Sequence, residues 1–262
     1  MMNRKKICRP ARNRKMKPKC VTGPVFWLCL ILLLLWTGQG MAVEKPTLKE
    51  LQAAAAANPK DAQAQYLLGL KYGLLGKQKE ALQALKLAIK LNPKYAEAYS
   101  AMGSIKSEIG EKEAAIKDFK EALRLKPGLP EARAEMGKAY GALGLQQIQE
   151  KEWSRAADYF RQALLANPTD EGAYNNLGVS LGEQKLWDEA KEAFRESIRL
   201  NPNNTNARYN LGVTSLIQGD KDTALEQYGA LGYLDPDSAG ELFYFISNPR
   251  GRDPGEMPIF RY

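Results

Sequence analysis

Apolar residues recur along most of this chain at intervals of three and four positions, which is typical of amphipathic helices. Prolines follow these helical stretches at steps of 34, 34, 41, 34 and 34 residues, at Pro59, Pro93, Pro127, Pro168, Pro202 and Pro236. A fixed period of this size indicates a stack of helix pairs in which each pair buries its apolar face against the next. The pattern therefore predicts an all-helical repeat architecture.

Three kinds of position recur within each period. Leu–Gly or Met–Gly pairs lie in the first helical stretch, with glycines at Gly69, Gly103, Gly137, Gly178 and Gly212. Alanines stand in the second stretch, at Ala81, Ala115, Ala156, Ala190 and Ala224, and large apolar residues follow four positions later, at Leu85, Phe119, Phe160, Phe194 and Tyr228. A glycine inside a helix costs about 1 kcal/mol relative to alanine. We therefore expect each glycine to mark a close crossing of two helices, with the large residue packed beside it.

This arrangement of glycine, alanine, large apolar residue and closing proline resembles the tetratricopeptide repeat. The resemblance implies an all-α, right-handed superhelical solenoid of five helix-turn-helix repeats, at 62–95, 96–129, 130–170, 171–204 and 205–238. The chain departs from the family where a tryptophan usually opens the first helix, since these places hold Gln65, Tyr99, Arg133, Tyr174 and Arg208. This departure makes the register of the weaker repeats less well defined.

The third repeat contains seven extra residues, 145–151, with the sequence LQQIQEK. Seven residues make about two helical turns, so the insert can lengthen the first helix by about 10 Å without rotating its face. Two interpretations stay open. We favour a neutral projection, because surface insertions are well tolerated, and the alternative is a spur that contacts a partner.

Both ends of the array are predicted to carry capping helices, because terminal repeats need a polar cover. Residues 43–61 contain the first, which begins after Thr47, and residues 239–262 contain the second followed by an irregular tail. In the second cap we expect Leu242, Phe243 and Phe245 to face inward.

The tail beyond the second cap, residues 249–262, is rich in proline and glycine. This composition and its terminal position favour an irregular segment that stays free of the array. The alternative is that Ile259, Phe260 and Tyr262 dock.

Residues 1–42 have the features of a targeting segment. Nine basic residues and no acidic residue precede a short apolar block, Val25–Trp36, which is followed by small residues up to Ala42. We favour a signal peptide cleaved after Ala42. An uncleaved anchor over residues 21–43 is the alternative, since no charged residue occurs there. In both cases the repeats are expected on the exported side of the membrane, as a periplasmic or secreted protein or as an anchored one.

The same segment explains the net charge of +8, because without its nine positive charges the rest of the chain carries −1. A near-neutral body lacks the attraction to phosphates on which nucleic-acid binding depends. All three cysteines lie in residues 1–42 and the chain has no histidine. The body thus lacks the residues of a structural zinc site, of a Cys–His pair and of a Ser–His–Asp triad. We expect no metal, no cofactor, no small-molecule substrate, no nucleic-acid partner and no enzymatic activity.

In the family, the first helices line a concave groove that binds a partner. Carried over residue by residue, this face predicts a partner-binding groove in which the ends are apolar or amide-rich and the middle is acidic. Its candidate residues are Tyr66, Leu70, Ser100, Ser104, Glu135, Lys138, Asn175, Asn176, Val179, Asn206, Asn210 and Val213, together with Tyr209.

Asn176 and Asn210 are 34 residues apart and occupy equivalent places in adjacent repeats. Because a carboxamide is both a donor and an acceptor, such a pair can hold the backbone of an extended peptide whatever its sequence. This resembles the asparagine ladder of some family members, although only two rungs are present. Ordinary solvated asparagines are the interpretation we favour here, since asparagine readily faces water.

These features predict a non-catalytic scaffold that binds a protein or peptide partner in its groove and serves an envelope or secretory assembly. Its membrane contact would be limited to the N-terminal segment, if that segment is uncleaved. The alternative is a regulatory or substrate-recruiting subunit of an envelope enzyme complex. Glu131 and Glu135, one helical turn apart, are the carboxylates nearest to an acid–base pair, and such a pair is more often a solvated face.

Overall fold

The computed structural model of the protein describes residues 46–248 and 260–262. Two compact units divide the chain, residues 1–46 and residues 47–262. The predicted targeting segment lies outside the described residues, and so does Ile259. None of the described helices has the length and apolar character needed to cross a membrane.

The described residues form twelve α-helices and no strand, which confirms the all-helical expectation for this part of the chain. A single helix, α1 (Leu48–Ala57), comes first. Five helix pairs follow: α2 (Ala62–Leu74) with α3 (Gln78–Leu91), α4 (Ala96–Glu108) with α5 (Lys112–Leu125), α6 (Pro130–Gln149) with α7 (Trp153–Ala166), α8 (Glu171–Glu183) with α9 (Trp187–Leu200), and α10 (Thr205–Ile217) with α11 (Lys221–Leu234). The last helix is α12 (Pro236–Ser247).

Each helix packs against the next along the chain, which produces a continuous stack. The first helices of neighbouring pairs also contact one another, whereas no such contact joins the second helices within the described part. The first helices therefore converge along one side of the stack, which is its inner face, and the second helices diverge on the outer face. This is the geometry of an α-solenoid.

The repeated positions of the sequence form the core of the stack. All five alanines of the second helices, from Ala81 to Ala224, have 0% of their surface exposed. The large residues four positions later are also buried, except in the last pair, where Tyr228 is only partly buried and stacks on Phe243 with 5.2 Å between ring centroids. A tight crossing leaves no room for a larger side chain at the alanines.

Three of the five predicted glycine crossings are confirmed. A Cβ added to Gly178 would lie 2.5 Å from the Phe194 ring. A Cβ at Gly69 or Gly103 would lie 2.8 Å from Leu85 or Phe119. Two assignments were wrong. In the third repeat Gly144, and not Gly137, faces the Phe160 ring at 2.8 Å, because the seven-residue insert moves the crossing two turns along α6.

In the fifth repeat, Gly212 contacts Leu242 of the final helix instead of Tyr228. The final helix therefore replaces the second helix as the neighbour of this glycine. Gly137 retains a looser contact with Ala166, at 3.3 Å from an added Cβ.

The insert lengthens α6 as expected, so that this helix has 20 residues where the other first helices have 13. The amino-terminal cap also follows the prediction. The Thr47 side chain accepts a hydrogen bond from the Glu50 amide, and the Glu50 carboxylate accepts one from the Thr47 amide. This reciprocal capping box stabilises the start of α1.

The carboxy-terminal cap differs from the prediction in one residue. Leu242 is fully buried and Phe245 partly buried, as expected, but Phe243 is 48% exposed. The buried face of α12 is instead completed by Ala239 and Ile246, three positions before and four after Leu242. A helix that packs on one side alone presents a stripe of this spacing, and Phe243 falls beside it.

Candidate functional site

The inner face divides into two halves of different character. In the amino-terminal half, a cavity of about 570 Å³ opens between the first helices of repeats one to three. The predicted groove residues Tyr66, Leu70 and Ser100 line it, with Glu97 and Glu131 on the same surface. Ser104 lies one turn beyond Ser100 and donates a hydrogen bond to the Ser100 carbonyl at 3.2 Å.

Most charges of this half are paired. The Lys126 ammonium lies 2.6 Å from the Glu97 carboxylate, and this hydrogen bond is the main reason why the pKa of Glu97 is lowered. Lys138 pairs with Glu135 at 2.8 Å on the exposed surface. Burial raises the pKa of Tyr66, with Glu97 and Glu131 adding to the effect, so its phenol stays neutral at physiological pH.

The carboxy-terminal half holds a segment of the chain itself, residues 260–262, which has no regular secondary structure. The Asn210 carboxamide donates to the Arg261 carbonyl at 2.7 Å and accepts from the Arg261 amide at 2.9 Å. Asn175 donates to the same carbonyl at 2.9 Å. Both polar groups of one peptide residue are therefore held by side chains from two adjacent first helices.

The two asparagines of this clamp also bond to each other. The Asn210 side-chain nitrogen donates to the Asn175 side-chain oxygen, Oδ1, at 2.9 Å, and the exposed fractions of the two residues are 0% and 3%. Buried carboxamides without partners would each cost about 1–3 kcal/mol, so full pairing is required at such a site. The clamp is complete only when a peptide backbone lies against it.

The favoured interpretation of solvated asparagines was wrong for Asn210, which is fully buried, and in the alternative ladder the partner of Asn210 is Asn175 instead of Asn176. Among the described residues no hydrogen bond joins Asn176 to residues 260–262, and its side-chain oxygen accepts from the Asn175 side-chain nitrogen at 3.4 Å. The two asparagines that meet are 35 residues apart, not 34. Neighbouring first helices are related by a rotation as well as a translation, which brings Asn175 toward Asn210.

The expectation of a tail free of the array was also wrong for its last residues. Phe260 is 93% buried, and an added Cβ on Gly182 would lie 2.7 Å from its ring. The Phe260 and Phe194 ring centroids are 6.1 Å apart. Tyr262, the other described candidate for docking, is 60% exposed.

The Arg261 side chain extends toward the final helix. Its guanidinium carbon lies 4.0 Å from the centre of the Tyr209 ring, and one nitrogen lies 2.6 Å from the Glu241 carboxylate. The other terminal nitrogen donates to Ser238 and lies 3.9 Å from the Asp235 carboxylate. A cation over an aromatic face with a carboxylate at its edge is a favourable environment for arginine.

Burial raises the pKa of Tyr209 to about 12, and the neighbouring Glu241 carboxylate acts in the same direction. Tyr209 is therefore a neutral phenol throughout the physiological range. Its role in this arrangement is to present a ring face to the guanidinium.

The remaining predicted groove residues surround the clamp or lie apart from it. Val179 and Val213 are buried in the apolar cluster that includes Phe260, while Asn206 is partly buried. Sequence reasoning missed Gly182, Ser238, Glu241 and Arg261 as participants. The Asn175 and Tyr209 positions, which are 34 residues apart, were visible as groove residues, but no sequence pattern linked them to a segment so far along the chain.

Four family models match the body. Three described as tetratricopeptide repeat cover residues 96–128, 172–204 and 193–226, and one described as TPR repeat covers residues 71–110. The chain carries tetratricopeptide repeats. These matches fall on the first, second, fourth and fifth helix pairs and on the connections between them.

Solved structures with a similar fold are also tetratricopeptide repeat (TPR) proteins or share their architecture. The crystal structure of YrrB, described as a TPR protein with an unusual peptide-binding site, has a TM-score of 0.53 at 22% identity, covering 76% of this chain and 100% of that one. This likeness shows the fold alone.

A crystal structure of MamA has a TM-score of 0.47 at 25% identity over 59% of this chain and 86% of that one. MamA 41-end from Desulfovibrio magneticus RS-1 has the same TM-score at 22% identity over 67% and 96%. None of the curated proteins compared with the chain matches it. Within the described residues, no cluster of three or more acidic, histidine or cysteine side chains is placed to hold a metal ion.

Proposed function

We propose that this protein is a non-catalytic interaction scaffold that binds an extended segment of a partner protein on the inner face of its TPR array. The observation that carries the proposal is the clamp of Asn175 and Asn210. It contacts the amide and the carbonyl of one residue in a segment without regular secondary structure, Phe260–Tyr262. Peptide groups are common to all chains, so this clamp suits any extended partner that offers a suitable backbone.

The open amino-terminal half supports the same proposal. Its cavity of about 570 Å³ lies on the same inner face as the clamp. The described residues that line it do not form a catalytic arrangement of nucleophile, base and orienting group. A partner chain that follows the inner face would meet an acidic and apolar surface first and the amide clamp afterwards. The carboxylates of Glu97 and Glu131 on this surface favour a partner with polar or basic residues there.

Crosslinking in cells tests this function. A photoreactive amino acid at Asn176 or Lys138, both on the inner face, should capture a partner after irradiation. The crosslinking yield at Asn176 should fall about tenfold or more when Asn175→Ala and Asn210→Ala are combined. Each lost hydrogen bond between neutral groups contributes about 0.5–1.5 kcal/mol to binding. Mass spectrometry of the crosslinked species gives the yield and the partner.

The matched control carries the same amino acid at Lys117, which is exposed on the second helix α5. Its crosslinks should not respond to the double substitution. If the species captured at Asn176 were unchanged by the double substitution, the groove would not be the binding surface. If Lys117 captured the same partner with equal yield, the outer face would be the binding surface instead.

We further propose that the array acts on the exported side of a membrane, within an envelope or secretory assembly. The support is the order of basic residues, apolar block and small residues in 1–42. N-terminal sequencing of the protein from cells is expected to give a chain that begins at Val43. A start at Met1 would contradict cleavage, and protection of the array from protease added outside the cytoplasmic membrane would contradict export.

A further inference from the structure

The segment in the groove is held by its side chains as well as by its backbone, in two separate sockets. The first socket receives the Phe260 ring. It lies between α8 and α9, where Gly182 has no side chain and Phe194 supplies a fully buried aromatic ring. Any side chain at position 182 would occupy the space of the Phe260 ring, since an added Cβ would lie 2.7 Å from two of its atoms.

The second socket receives the Arg261 guanidinium. Its floor is the ring of Tyr209 from α10, and its edge is formed by Ser238 and Glu241 from α12. Asp235, at the start of α12, adds a second negative charge 3.9 Å from the guanidinium. Two carboxylates and an aromatic face suit an arginine better than a lysine, because the planar guanidinium can stack and donate in two directions together.

The sockets and the clamp are in a fixed relation to each other. The clamp holds the backbone of Arg261, so the residue before it must enter the socket between α8 and α9 while the arginine side chain must enter the socket between α10 and α12. The Phe260 ring contacts Gly182 of α8 and faces Phe194 of α9, whereas the Arg261 guanidinium contacts α10 and α12. The site therefore reads a pair of adjacent side chains.

We propose that repeats four and five with the final helix select a partner segment in which an aromatic residue is followed directly by arginine, and that Phe260–Arg261 is the chain's own competitor for this site. The proposal rests on the proposed function, because it specifies the segment that the groove binds. The basis for this assignment is the segment that occupies the site in the structure. Residues 260–262 make all of these contacts, and eleven residues of sequence separate them from Asn248 at the end of α12. A partner that offers the same two side chains meets the same backbone clamp.

Peptide binding to the full chain in detergent tests this proposal. The labelled peptide MPIFRY, residues 257–262, is titrated into the wild type and into Arg261→Glu, with fluorescence anisotropy as the readout. The substituted carboxylate would face Glu241 and Asp235, so the chain's own segment should leave the groove. We expect the peptide to bind Arg261→Glu at least about tenfold more tightly than the wild type.

Selectivity is measured with two altered peptides, MPIARY and MPIFAY. Each should bind Arg261→Glu about tenfold or more weakly than MPIFRY, because one socket stays empty. Combining Arg261→Glu with Glu241→Gln should reduce the preference for MPIFRY over MPIFAY without abolishing it, because Tyr209, Ser238 and Asp235 still line the socket. Lys117→Glu is the matched control, since it makes the same charge change on the exposed surface of the second helix α5 and should leave MPIFRY binding at the wild-type level.

Several outcomes would overturn the proposal. Equal affinity of the wild type and Arg261→Glu would show that the segment does not compete, and equal affinity of the three peptides would show that the sockets do not select. Should Arg261→Glu fail to fold by circular dichroism, Phe260→Ala with Arg261→Ala empties both sockets without adding charge. A wild-type dimer in sedimentation equilibrium that Arg261→Glu abolishes would make a second copy the occupant and would also overturn the assignment to a separate partner.

The proposed function has a different point of failure. If the three peptides bind Arg261→Glu equally and all are lost with Asn175→Ala and Asn210→Ala, the backbone clamp stands and only the selectivity falls. If none of the peptides binds, and the crosslinking yield at Asn176 is unchanged by Asn175→Ala with Asn210→Ala, the proposed function of the groove is wrong.

Discussion

Asn210→Ala is expected to release Phe260–Tyr262 from the groove and to lower the free energy of unfolding by about 1–3 kcal/mol. The Asn210 side chain is fully buried and makes three hydrogen bonds, two with the Arg261 backbone and one with Asn175. Its removal leaves the Arg261 amide and the Asn175 oxygen without these partners. Amide hydrogen exchange of residues 260–262 should become about tenfold faster or more, and urea unfolding gives the change in stability.

Asn206→Ala is the matched control for this result. Asn206 lies on the same helix and is only partly buried. Its replacement should change stability by no more than about 0.5 kcal/mol and leave the exchange of residues 260–262 unaltered. Unchanged protection of the Arg261 amide in Asn210→Ala would mean that the side-chain sockets alone hold the segment.

The second large effect is expected at a helix crossing. Gly178→Ala should lower the free energy of unfolding by about 2 kcal/mol, although alanine is the better helix former by about 1 kcal/mol. The new methyl carbon would lie 2.5 and 2.6 Å from two atoms of the Phe194 ring. That ring is fully buried and also faces Phe260, so it has little room to move away. Urea unfolding of the purified variant measures the change.

Gly141→Ala provides the opposite sign at a comparable position. Gly141 lies inside α6, and a Cβ added there meets nothing within 4 Å. Helix propensity then acts alone, and the variant should gain up to about 1 kcal/mol. A gain in stability at Gly178 as well would contradict the interpretation of these glycines as crossing points.

Gly178→Ala, Gly141→Ala and Asn210→Ala together distinguish effects on the stability of the array from effects on binding in its groove. Gly178→Ala disturbs Phe194, which forms one wall of the Phe260 socket, so it should weaken peptide binding together with folding. Gly141→Ala should affect only folding. Asn210→Ala acts directly on the bound backbone. Comparing the three shows how far the socket depends on the packing beneath it.

Much of the fold could be predicted from the sequence because repeats average over local exceptions. The alanines at Ala81 and its equivalents must be small at every crossing, so their period survives changes elsewhere. The exceptions occur where the repeat itself changes. The seven-residue insert transferred the crossing from Gly137 to Gly144, and the final helix brought Leu242 to Gly212. A period cannot reveal which of two glycines in one helix meets the next helix.

The candidate site was predicted less completely, for a physical reason that Asn176 illustrates. Equivalent sequence positions are 34 residues apart, but contacts between neighbouring first helices depend on their relative rotation, and this rotation brings Asn175 to Asn210. Phe243 shows the same limit, since an apolar residue on a capping helix is buried only if its helix turns that way.

The sequence by itself determined the class of this protein. Its period and its small residues at fixed places lead to a helical repeat array, and the array contains no histidine and no cysteine. Only the tertiary structure decided how the groove is filled. The clamp joins Asn175, Asn210 and Arg261, and the arginine socket adds residues of the final helix. These groups are up to 86 residues apart in the chain. Local sequence patterns indicate which face of a helix is buried. A contact between residues so far apart in the chain depends on how the helices stack in three dimensions.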